Sequence, residues 1–150
     1  MVTPEELMRS VAEAFENSDL RPLLSAIDEN CVWKSAATVD GMFRFGGQYV
    51  GREGVMEVTS QISSAYRVYR LTPKEIVSVN DIVWGLFEVE AEFRDHRGSS
   101  GAPKTVKFEA AIRWRVSGNK ILEHQCFFDT ASLLLQQGEL ARKPEVGQPA

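Results

Sequence analysis

The chain has 150 residues, of which 43% are hydrophobic and 25% are charged. This length and composition are typical of one globular domain rather than two. A chain of this size buries about 70% of its unfolded surface on folding, so it needs neither a disulfide framework nor a structural metal. Its 17 Lys and Arg against 21 Asp and Glu give a net charge of −4, which argues against a nucleic-acid partner.

The sequence shows no motif for membrane insertion, metal binding or a phosphate-bearing cofactor. The segment Met1–Glu16 carries four glutamates and one arginine without an apolar core. We therefore expect no signal peptide, no membrane span and a cytoplasmic protein. The histidines His96 and His124 are far apart, and Cys31 and Cys126 lack CxxC spacing, so we expect buried, reduced thiols, no metal and no cofactor.

The first 66 residues favour three helices and one short strand. The segment Thr3–Glu6 combines a capping hydroxyl, a proline and a glutamate three residues after the cap, which is typical of a helix start. Asp19 is predicted to cap a second helix that extends to Ile27, followed by a strand over Cys31–Ala36. The segment Gly51–Gly54 starts a third helix, whose apolar positions are Val55, Val58 or Met56, Ile62 and Ala65.

After Tyr66 the apolar residues alternate, which predicts strands separated by turns. Pro73 marks an irregularity or an edge, and Asn80–Asp81 suits a two-residue hairpin turn. Residues 82–95 and a second strand around Phe108–Val116 are apolar on one face and charged on the other, as in an antiparallel pair covered on one side. A last strand, Ile121–Phe128, precedes a short C-terminal helix.

Three helices followed by an antiparallel meander predict an α+β fold in which helices cover one face of a curved sheet, leaving a cone with a pocket. We expect one domain over residues 1–138 and a mobile tail over 139–150, which is poor in apolar residues.

Three segments resemble the nuclear transport factor 2-like superfamily, particularly its SnoaL-like and ketosteroid-isomerase-related members. They are Asn17–Trp33, Gly47–Gly54 and Lys120–Gly138, and the resemblance extends from about Leu7 to Leu140. It implies a cone-shaped, cystatin-like α+β fold, a deep apolar pocket and frequent dimerisation through the outer sheet face. It implies no single function, because this fold hosts isomerases, cyclases, epoxide hydrolases, dehydratases and non-catalytic binders.

The catalytic residues of these relatives do not transfer to this chain. The resemblance places the isomerase tyrosine at Val11, the isomerase aspartate at Ser35 and the second oxyanion acid within Ala110–Ile112. The aspartate of the hydrolase and cyclase relatives falls at Cys126. These departures argue against a strict ketosteroid isomerase, an epoxide hydrolase and a conventional cyclase.

His124 is the sharpest catalytic candidate. It is predicted to share the pocket face with Leu122, Cys126 and Phe128, where a neutral imidazole titrating near neutrality would serve as general acid or base. The alternative is a structural histidine satisfied by a backbone carbonyl or a tyrosine. For Cys126, a buried inert thiol is favoured over a nucleophile.

Two weaker candidates lie near the predicted pocket mouth. Asp129 either reaches the pocket or caps the last helix, and Tyr49 either points its hydroxyl inward or packs its ring. His96, in a charged loop, is expected to face solvent.

The predicted strands present two apolar faces. The inner set, which would form the pocket wall, is Trp33, Phe45, Phe87, Phe93, Phe108, Trp114, Cys126 and Phe128. The outer set, which suggests a homodimer, is Ile82, Trp84, Leu86 and Phe127.

The leading hypothesis is a protein that encloses a small hydrophobic molecule of polyketide, terpenoid or aromatic type. If it is an enzyme, proton transfer by His124 in an isomerisation, cyclisation or dehydration fits better than hydrolysis. The alternatives are a non-catalytic binding or sensing module, suggested by the replaced catalytic positions, and a dimeric adaptor acting through the outer sheet face.

Overall fold

The computed structural model describes residues 2–37, 42–94 and 103–140. The helices of these segments are α1 (Pro4–Glu16), α2 (Arg21–Ala26), α3 (Gly51–Ala65) and α4 (Thr130–Gln136). The strands are β1 (Ile27–Lys34), β2 (Gln48–Val50), β3 (Tyr66–Val79), β4 (Ile82–Phe93), β5 (Lys104–Ser117) and β6 (Lys120–Phe128). The α+β prediction is confirmed, while His96 and residues 141–150 of the predicted tail lie outside the described residues.

Local capping signals explain where the helices begin. At α1 the Thr3 hydroxyl accepts from the backbone N–H of Glu6, and the Glu6 carboxylate accepts from that of Thr3, as predicted. At α3 the backbone turns at Gly51 with a φ of +73°, and a Cβ there would lie 2.9 Å from the carbonyl oxygen of Glu29. Glycine is therefore required for α3 to begin beside β1.

The second helix is shorter than the sequence suggested, and the strand after it is longer. Leu20 occupies the N-cap position, although the Asp19 carboxylate accepts the backbone N–H of Arg21 at 3.1 Å. The helix ends at Ala26 because Ile27 is already extended, is 1% exposed and pairs with Ile121 of β6. A buried β-branched side chain is better placed in the sheet than in a last helical turn.

The strands form one open sheet in the order β2-β1-β6-β5-β4-β3. The predicted antiparallel meander from β3 to β6 is confirmed. The pair β1–β6 is parallel, however, and the short strand β2, which the sequence did not indicate, pairs with β1. The parallel pair brings the N-terminal and C-terminal parts of the domain side by side.

The turn between β3 and β4 and the irregularity near Pro73 lie where the sequence placed them. Asn80, with a φ of 55°, and Asp81 form the turn between β3 and β4. The register of β3 against β4 shifts between Pro73 and Glu75, since proline cannot donate to the ladder. On the outer face of the sheet, the Glu90 carboxylate of β4 lies 3.7 Å from Nζ of Lys107 on β5. On the same face, Nζ of Lys74 lies between the carboxylates of Glu88 and Glu109 and offsets their repulsion.

The helices cover the inner face of the sheet. The helix α1 packs on β3 and β4, α3 packs on β1 and β3, and α4 packs on β5. Of the two alternative apolar positions predicted on α3, Val58 is fully buried and Met56 is 55% exposed. None of the helices in residues 2–37, 42–94 and 103–140 is both long and apolar enough to cross a membrane.

Candidate functional site

An apolar cavity of about 160 Å³ lies between the inner face of the sheet and helices α1 and α3. None of the described residues that line it carries a formal charge. Most of the wall is aliphatic or aromatic, and the side chains in it that carry a polar nitrogen or oxygen are Trp33, Ser35, Thr59, Tyr66, Trp114 and His124. Such a wall favours an apolar occupant with few polar contacts.

Seven residues predicted to line the pocket do line this cavity: Trp33, Phe45, Phe87, Phe108, Trp114, Cys126 and Phe128. The eighth, Phe93, does not. It lies at the far end of β4, where its ring packs 5.3 Å from that of Tyr66, and it lines a separate cavity of about 30 Å³. Alternation places Phe93 on the inner face, but the sheet extends beyond the main cavity at that end.

His124 lies between two tryptophans on neighbouring strands. Its register partners are Trp33 on β1 and Trp114 on β5. Its ring stacks on that of Trp33 with centroids 3.5 Å apart and planes at 10°. Its Nδ1 accepts a hydrogen bond from the indole Nε1–H of Trp114 at 2.9 Å. The partner is therefore an indole, and neither the backbone carbonyl nor the tyrosine considered from the sequence.

This environment keeps the imidazole neutral. Burial lowers the pKa of His124 from its usual 6.5 to about 3. The Trp114 indole can only donate, so a proton on Nδ1 would set two N–H groups against each other. Burial and the Trp114 contact therefore favour a neutral ring with its proton on Nε2 over the predicted titration near neutrality.

A bulge in β6 changes which residues of that strand face the cavity, compared with the prediction. Val116 pairs with Ile121 and Arg115 pairs with Glu123, so Leu122 is the extra residue of an irregular step. Ile121 is fully buried and His124 lines the cavity, whereas Leu122 does not line it. One inserted residue reverses the alternation, which is why a strict period of two misplaced Leu122.

Residues 8–124, most of the chain, match the family model for a SnoaL-like domain. The chain belongs to the SnoaL-like domain family. No curated protein matches it.

Solved structures show the same fold for this SnoaL-like protein at low sequence identity. A nuclear transport factor 2-like protein of Burkholderia thailandensis is 19% identical with a TM-score of 0.73, covering 91% of this chain and 98% of that one. A candidate polyketide cyclase of Pseudomonas putida is 18% identical with a TM-score of 0.72 and the same coverage of 91% and 98%. A candidate isomerase of Rhodopseudomonas palustris is 21% identical with a TM-score of 0.71, covering 87% and 92%.

The positions at which the family resemblance placed catalytic residues surround the cavity in this SnoaL-like protein. Val11, Ser35, Ala110 and Cys126 all line it. Burial raises the pKa of the Cys126 thiol to about 12, so it remains protonated at neutral pH. Cys31 is also a free thiol, with a pKa raised by burial to about 11. Both cysteines therefore have the properties of inert thiols, with Cys31 buried and Cys126 half-buried in the cavity wall.

Asp129 and Tyr49 do not line the cavity. The Asp129 carboxylate accepts the backbone N–H of Ser132 at 3.0 Å, which makes it the N-cap of α4. Tyr49 lies on β2, and its hydroxyl donates to the carbonyl oxygen of Gly46 in the preceding loop at 3.0 Å. The structure therefore separates both residues from His124.

Two polar residues of the cavity were not identified from the sequence. Thr59 lies on the buried stripe of α3 and donates to the carbonyl oxygen of Val55 at 2.7 Å. Tyr66, at the junction of α3 and β3, donates to the side-chain oxygen of Gln137. A threonine within an apolar helical stripe was the available signal for Thr59, whereas the Tyr66 contact joins residues far apart in sequence.

Within residues 2–37, 42–94 and 103–140, no three His, Cys, Asp or Glu side chains lie close enough together to hold a metal ion.

Proposed function

We propose that this SnoaL-like protein binds a small, largely apolar molecule in the cavity between its sheet and helices. The observation that carries the proposal is the uncharged, mostly aromatic and aliphatic wall around about 160 Å³. An apolar cavity of about 150 Å³ is large enough to bind benzene, so we expect a ligand of one or two rings in this cavity. A structural neighbour, TerC, was crystallised with polyporic acid, which supports ligand binding on this fold.

Binding fits the described wall better than proton transfer by a cavity side chain. The pKa of His124 is about 3 and that of Cys126 is about 12, and burial also raises the pKa of Tyr66. None of these three groups changes protonation near neutral pH. We therefore place non-catalytic binding ahead of isomerisation, cyclisation or dehydration, although neighbours with this fold are named as candidate cyclases and isomerases.

Filling the cavity should weaken ligand binding. Ala110 lines the cavity, whereas Ala111, the next residue on β5, faces the opposite side of the sheet. With indane as the probe, the Ala110→Leu variant should bind about tenfold to a hundredfold more weakly than wild type, because the added carbons overlap the ligand. Binding is measured by calorimetry and by the fluorescence of Trp33 and Trp114, which lie in the wall.

The matched control is Ala111→Leu, which adds the same side chain outside the cavity. It should bind indane as wild type does, with folding of both variants checked by circular dichroism. Equal affinity in the folded Ala110→Leu variant would place the binding site elsewhere.

We further propose that the outer face of β4, β5 and β6 pairs with a second copy of this chain. Trp84 and Phe127 on that face are 40% and 46% exposed and stack with centroids 6.2 Å apart. Leu86 and Ala111 lie beside Phe127 in the register, so the four residues form one apolar patch away from the sheet edges. Charges of both signs border the patch, which suits a self-complementary contact between identical faces.

The Trp84→Glu variant should therefore be monomeric at concentrations where the wild type is dimeric, since a buried carboxylate would face the same apolar patch of the partner. Light scattering after size-exclusion chromatography measures the mass. The control is Met56→Glu, which places the same charge on an exposed position of α3, across the domain from the patch. A monomeric wild type, or a dimeric Trp84→Glu, contradicts the proposed interface.

A further inference from the structure

The polar side chains of the cavity differ in whether they have a hydrogen-bond partner within the protein. Thr59, Tyr66 and Trp114 each donate to a partner within the domain. Within the described residues, His124 uses only Nδ1, and the side chains of Trp33 and Ser35 make no hydrogen bond. These last three residues are only 6%, 7% and 7% exposed, so bulk water has little access to them.

The unused polar atom of His124 reaches the cavity. Among the described residues, no fully buried side-chain nitrogen or oxygen lacks a hydrogen-bond partner. Since Nε2 makes no such bond there, it is not fully buried, and the open space beside it is the cavity that its ring lines. The ring cannot turn freely, because Trp33 stacks on one face and Trp114 holds Nδ1.

The chemistry of that atom follows from Trp114. The nitrogen that accepts the indole N–H has no proton, so the neutral ring carries its proton on Nε2 and presents a donor. Trp33 likewise offers only a donor, and Ser35 offers a hydroxyl that both donates and accepts. Each of these three groups can therefore donate a hydrogen bond, and none of them has an acceptor among the described residues.

We infer that the ligand is an apolar molecule bearing a carbonyl oxygen, which accepts a hydrogen bond from Nε2–H of His124. This inference rests on the proposed function and specifies its ligand class. A neutral carbonyl fits better than a carboxylate, because no described lining residue carries a positive charge to compensate a buried anion. Trp114 acts as a positioning residue that fixes the donor tautomer.

The test compares 1-indanone with indane, which have nearly the same shape and differ in the carbonyl oxygen. The variant is His124→Phe combined with Trp114→Phe, which removes donor and acceptor together and so leaves no buried group unpaired. Relative to wild type, the preference for 1-indanone over indane should fall about fivefold or more, because its buried carbonyl loses its partner. Tyr69→Phe, which removes a hydrogen-bonding group at an exposed position of β3 outside the cavity, should leave the preference unchanged.

A second measurement needs no ligand. The ¹⁵N shifts of the His124 ring should show Nδ1 unprotonated and Nε2 protonated at neutral pH, with His96→Gln used to assign the signals. In Trp114→Phe this fixed pattern should be lost.

The possible results distinguish the carbonyl inference from the proposed binding of an apolar molecule. If both probes bind and the double variant keeps the wild-type preference, the carbonyl inference is overturned while apolar binding stands. A protonated Nδ1 in the wild type also overturns it. If neither probe binds to the wild type, the proposed function fails together with the inference.

Discussion

Replacing Gly85 with valine should lower the free energy of unfolding by about 3 kcal/mol. A Cβ at this position would lie 2.4 Å from Cε2 of Phe87 and 2.7 Å from Sδ of Met8. Both neighbours are 1% exposed and line the cavity, so they can make room only by moving into it and losing their present packing. The ring of Phe87 thus occupies the space above its own strand that any side chain at position 85 would need.

Chemical denaturation of wild type, Gly85→Val and Gly85→Ala measures this effect, with alanine expected to cost less than valine. The internal control is Phe87→Leu, which shortens the side chain over the glycine. Phe87→Leu should be less destabilising in the Gly85→Ala background than in wild type, by about 1 kcal/mol, because the two residues share the same space. A Gly85→Val protein as stable as wild type would contradict the placement of Phe87.

Lowering the pH from 7 to 5 should cost the folded state about 2 kcal/mol through His124 alone. The pKa of this imidazole is about 3 in the folded protein, against its usual 6.5. Between these two values the unfolded chain binds a proton that the folded chain does not. The stabilising effect is therefore complete above about pH 6.5 and is lost progressively as the pH falls towards 3.

The measurement is the free energy of unfolding at pH 7 and at pH 5, in wild type and in the His124→Phe, Trp114→Phe double variant. Carboxylates that titrate over the same range remain in both proteins, so the difference between the two slopes reports His124. The double variant should lose about 2 kcal/mol less on acidification. Equal slopes would mean that His124 is accessible to protons in the folded state.

Several elements of the fold could be predicted because their signals are local. The Thr3–Glu6 box, the turn at Asn80–Asp81 and the Asp129 cap each depend on residues within a few positions of one another. The alternation along β4 and β5 predicted the inner face for the same reason, since side chains on a strand alternate with a period of two.

The candidate site was predicted less completely. The structure places His124 and most of the predicted aromatic residues in the cavity wall. The hydrogen-bond partner of His124 was not predicted, because the contact is with Trp114 on the neighbouring strand β5. The sequence contains both residues, but alternation does not tell which side chains meet across strands when a bulge shifts the register.

The amino-acid pattern by itself therefore determined the helix starts, the turns and the face of each long strand, because these depend on hydrogen bonds and periodicities within short segments. Only the tertiary structure decided that β1 lies parallel to β6, that Leu122 is a bulge, and that Trp33 and Trp114 enclose His124. These features join distant parts of the chain, and burial between two indoles changes an imidazole from a proton carrier into a fixed hydrogen-bond donor.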